Sequence, residues 1–70
     1  MVQEQAQNQH DPRCRTQNTL KRLKEEIDHL HADIDEVDER EFQATAKTAA
    51  EVLAGLVKAF QDYEMRIWGI

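Results

Sequence analysis

Glu26 and His29 stand three residues apart. That spacing puts a carboxylate and an imidazole on one helical face, and di-iron carboxylate bundles use it for paired ligation. The chemistry would be metal binding, with Glu25, Asp28, His31, Asp33 and Asp35 close by in sequence. Such bundles carry the motif twice, however, and this chain has no second Glu-x-x-His. Glu26 and His29 are therefore weak candidate ligands for a metal shared across an assembly, against the plainer reading of two solvated side chains. The other reactive group is Cys14, flanked by Arg13 and Arg15, a setting associated with reactive thiols or with an intermolecular disulfide. Nucleophilic catalysis also needs an oriented base and a third group to hold it, and only His10 is near in sequence. These patterns lead to an expectation of no catalytic residues, no cofactor and no enzymatic activity.

Two further groups of side chains point to binding. Arg13, Arg15, Lys21, Arg22 and Lys24 form a basic run that could contact phosphates, more strongly if a dimer doubled it. No aromatic residue is interleaved with the run, nine carboxylates follow it between positions 25 and 41, and the formal net charge is −5. Nucleic-acid binding is therefore the secondary expectation. Trp68, with Ile67 and Ile70, forms an apolar end suited to docking in a partner's groove, although such a residue as commonly packs on its own chain.

The elements that position these groups follow from composition and periodicity. Two glycines, one proline and four aromatic residues among 70 leave few turn formers and few bulky core fillers, so the composition favours helix. A chain this short buries only about 60% of its unfolded surface. With a single cysteine it has no intrachain disulfide to compensate, which leaves oligomerisation as the expected staple. Met1 to Gln9 are polar, without the basic start and apolar stretch of a secretory signal. No run approaches the roughly 18 apolar residues of a membrane span, so a cytoplasmic protein that does not enter a membrane is expected.

Residues 1–12 read as a disordered polar tail ending at Pro12, and 13–70 as a single helical domain. From Thr16 the apolar positions Leu20, Leu23, Ile27, Leu30, Ile34 and Val37 alternate in steps of three and four, a coiled-coil seam. A second seam runs through Phe42, Ala46, Ala49, Leu53, Leu56, Phe60, Tyr63, Ile67 and Ile70. The step of five from Val37 to Phe42 throws the seams out of phase, so one straight helix cannot present both on one surface. The predicted fold is all-α: a helical hairpin of two amphipathic helices, about 14–37 and about 38–68. Asp38 is the expected N-cap of the second, with Glu41 in a capping box and Val37 and Phe42 as a hydrophobic staple. One long bent helix is the alternative, because no Gly, Asn or Pro lies between Asp35 and Glu41 to end the first helix.

Charge is distributed unevenly along this pattern. Positions 10–24 sum to +4 and positions 25–41 to −8, which opposes the macrodipole of the first helix at both ends. Antiparallel association of two copies would set each basic stretch against the other's acidic stretch. The expected function is a non-enzymatic protein–protein interaction or assembly module. It would self-associate through the two seams as a coiled-coil-like homodimer, with a tetramer or higher bundle as the alternative, and it could present a face to a larger protein. The competing expectation is a small nucleic-acid-associated regulator using segment 13–24.

Overall fold

A computed structural model of the chain describes residues 11–69. The tail expectation for 1–10 and the docking expectation for Ile70 fall outside these residues. Two helices account for nearly all of the described chain: α1, Pro12–Glu36, and α2, Arg40–Trp68, which pack against each other as a hairpin. The all-α hairpin is the observed fold, and the single bent helix is not.

The boundaries differ from expectation by two residues at each start, for local reasons. Asp11, assigned by sequence to the tail, is the N-cap of α1, and its side chain accepts a 2.9 Å bond from the Arg13 amide. Pro12 then occupies the first turn, where its missing N–H costs nothing because that donor has no intrahelical partner anyway. The cap of α2 is Glu39, not Asp38: Glu39 is extended at φ −145°, and its Oε1 accepts from the Phe42 amide at 2.7 Å. With the cap one residue later, Val37 and Phe42 no longer occupy the staple positions. Val37 instead ends α1, in an extended conformation, with its amide donating to Asp33 O at 2.8 Å. α2 is better matched to its dipole than α1. It has Glu41 in its first turn and Arg66 in its last, and it closes on Gly69 at φ 70°, the left-handed C-cap that glycine adopts without strain.

The reversal uses only three residues, 37–39, and no glycine. A side chain from α2 does the work of a C-cap: Gln43 Nε2 donates to Ile34 O at 3.1 Å and to Val37 O at 3.0 Å. Two carbonyls that α1 would otherwise leave unpaired are thereby satisfied from the neighbouring helix. At the open end Gln17 donates to Glu64, and the Arg13 guanidinium lies 5.1 Å from the centroid of the Trp68 ring.

The line of contact runs through Thr16, Leu20 and Ile27 on α1 and through Ala46, Ala50 and Val57 on α2. Of these, Thr16, Leu20, Ala46, Ala50 and Val57 are buried. Alanines here let the two backbones approach closely. The core is thin. Among the described residues no large side chain is fully buried, and the molecule is only 13 Å deep along its shortest axis, a single layer of helices.

Candidate interaction surface

Each helix has a buried line with two flanks. On α2 the line follows Gln43, Ala46, Ala50, Leu53 and Val57, again in steps of three and four. The sequence seam shares Ala46 and Leu53 with this line, but its Ala49 and Leu56 stand one position earlier than the buried Ala50 and Val57. One residue is about 100° of helix, so the rest of that seam is rotated off the contact line onto one flank. Leu56 is consequently 45% exposed and Ile67 58%, while Phe42, Ala49, Phe60 and Tyr63 are half-buried. Val52, further round, is 59% exposed.

α1 divides in the same way. Leu20 and Thr16 are buried, Leu23, Ile27, Leu30 and Ile34 are half-buried, and Val37 is exposed at the turn. Near the open end of one flank a shallow groove is lined by Pro12, Thr16, Thr19, Ala59, Phe60 and Tyr63, with Arg15 at its edge. Leu23 and Leu30 lie four and eleven residues beyond Thr19, which keeps them on that same flank, and Leu56 lies four before Phe60. The opposite flank has a different character. Its groove, beneath Ile27, Ile34 and Ala50, is rimmed by His31, Asp35, Lys47 and Glu51. One side of the hairpin is thus apolar and aromatic, and the other is edged with charge.

The remaining sequence candidates are dispersed. His29 Nδ1 lies 3.8 Å from Glu26 Oε1 as a local pair, with both side chains more than half exposed. Among the described residues no three His, Cys, Asp or Glu side chains converge as a metal site would require. Cys14 is half-buried in the first turn of α1, with Asn18 Nδ2 at 3.8 Å from its sulfur. The five basic residues are all exposed, yet they do not form one face. By the 3.6-residue repeat Arg13 and Lys24, eleven apart, share one side of α1, Arg15 and Arg22, seven apart, share the other, and Lys21 lies between. Trp68 is half-buried against its own chain, edge-on to Tyr63 with ring centroids 5.3 Å apart.

No family model, curated protein or solved structure matches this chain. No helix among the described residues is long and apolar enough to cross a membrane.

Sequence reasoning missed Gln43, Glu39 and Asp11, which form the caps and the turn. For Gln43 a signal exists in the sequence: it stands three residues before Ala46 and seven before Ala50, in the repeat that the buried line follows. Read by residue type alone, a glutamine in that line looks like surface.

Proposed function

We propose that this chain is a non-enzymatic interaction module that self-associates through the apolar flank of its hairpin and serves as an assembly or adaptor unit. One observation carries the reading. Leu56, Val52 and Ile67 are exposed on the same helix that buries Ala46, Ala50 and Val57 against α1. Beside Leu20 and Val57 the hairpin buries two alanines of α2 and leaves larger apolar side chains of that helix outward. Stable domains place a second layer over such a face, and a contiguous exposed apolar patch on a small protein marks a contact site. A homodimer is the simplest closed arrangement that provides that layer.

Light scattering across a dilution series, paired with circular dichroism at each concentration, tests this. The expected result is a helical multimer whose mass and helicity fall together on dilution. A monomer of unchanged helicity at every concentration would refute self-association.

A further inference from the structure

We infer that the occupant of the apolar flank is a second copy of this chain stacked antiparallel, with the open end of one hairpin over the turn of the other and α1 against α1. This rests on the self-association through that flank proposed above and adds its orientation. Two symmetric stackings of hairpins are available. A two-fold axis along the helices would place both open ends together and set α1 over the partner's α2. A two-fold axis across the helices would reverse one hairpin and set α1 over the partner's α1.

Charge separates the two. Within α1, Pro12–Lys24 holds Arg13, Arg15, Lys21, Arg22 and Lys24 and no carboxylate, whereas Glu25–Glu36 holds Glu25, Glu26, Asp28, Asp33, Asp35 and Glu36 and no Lys or Arg. The boundary falls at the middle of the helix. α2 has no such polarity, with four cations and four carboxylates spread along it. With open ends together, both basic halves crowd one end and both acidic halves the other. In the reversed stacking an axis through the middle of α1 sets the cations of this flank, Arg15 and Arg22, toward the partner's acidic half, where Glu26 and Asp33, seven and fourteen residues beyond Thr19, share the same side. The same contact offsets the unfavourable ends of α1, which has no acidic residue in its first turn and no basic residue in its last. The size is also adequate. A flank of 25 residues' rise and two helices' width covers about 700 Å² per protomer, close to the roughly 800 Å² of standard stable interfaces.

Cys14, the chain's one cysteine, is a built-in reporter. A spin label at Cys14 on the full chain should give an inter-label distance near ~30 Å in the reversed stacking. It should give about 15 Å with open ends together, from the helical rise and interaxial spacing. A dimer showing the short distance would overturn this orientation while leaving self-association intact. A monomer by light scattering would remove both. As a second arm, Arg15→Glu with Arg22→Glu, the two cations on this flank, should weaken the dimer about threefold to tenfold at low salt, with the difference fading at high salt. An unchanged or tighter dimer would also overturn the proposal.

Discussion

Gln43 joins the two helices at the turn by donating to the carbonyls of Ile34 and Val37. Removing it leaves those acceptors to water at the surface and unpaired where the site is covered. Gln43→Ala should therefore cost about 1–2 kcal/mol in denaturant unfolding at fixed protein concentration. Gln43→Glu, which keeps the size but loses the donors, should cost at least as much; retention of full stability in both would show that the turn closes without this side chain. Glu39 is a lesser cap type, yet its carboxylate holds the Phe42 amide at 2.7 Å. Replacement by Asp or Ser should be neutral or stabilising, and replacement by Ala should cost about 0.5–1 kcal/mol.

Gly55 lies in the middle of α2, where glycine is about 1 kcal/mol worse than alanine, and a Cβ built there meets nothing within 4 Å. The hairpin gains nothing visible from it. Gly55→Ala should raise the unfolding free energy by about 0.5–1 kcal/mol. A loss instead would mean that another backbone comes close to Gly55 in the assembled state. Ala50 is the opposite case on the same helix, buried on the line facing α1. Ala50→Leu should force the helices apart at a cost of about 1–3 kcal/mol, read by thermal unfolding. The pair of substitutions tests which side of α2 is the inside.

Leu56 and Val57 are adjacent in sequence and differ in role. Val57 is buried in the hairpin contact, and Leu56 is exposed on the flank. Val57→Asp should abolish helical structure at all concentrations, because a charge in the hairpin's internal contact costs several kcal/mol. Leu56→Asp, and Leu30→Asp on the facing helix, should instead raise the dissociation constant, by roughly a hundredfold, about 3 kcal/mol. At protein concentrations high enough to restore association, helicity should return for these two variants and stay absent for Val57→Asp. Identical behaviour in all three would place Leu56 and Val57 in a single core and remove the flank as an interface.

The periodicity of apolar residues was enough to establish helix and a change of phase between two stripes, while the break between two helices, against one long bent helix, was decided by the tertiary structure. Steps of three and four can be buried only on a helix, and a step of five cannot continue one stripe. The charge halves of α1 were equally plain. Neither observation decides which of several adjacent apolar rows on α2 turns toward α1, since its apolar face is wider than one seam and rows one residue apart differ only by rotation. The tertiary structure decided that by close packing: alanines at 46 and 50 admit the neighbouring backbone, and the bulkier Leu56 and Ile67 are turned outward. It also decided the caps, because whether Asp38 or Glu39 holds the first amides of α2 depends on where the chain reverses, and Gln43 fixes that position only once the two helices are side by side.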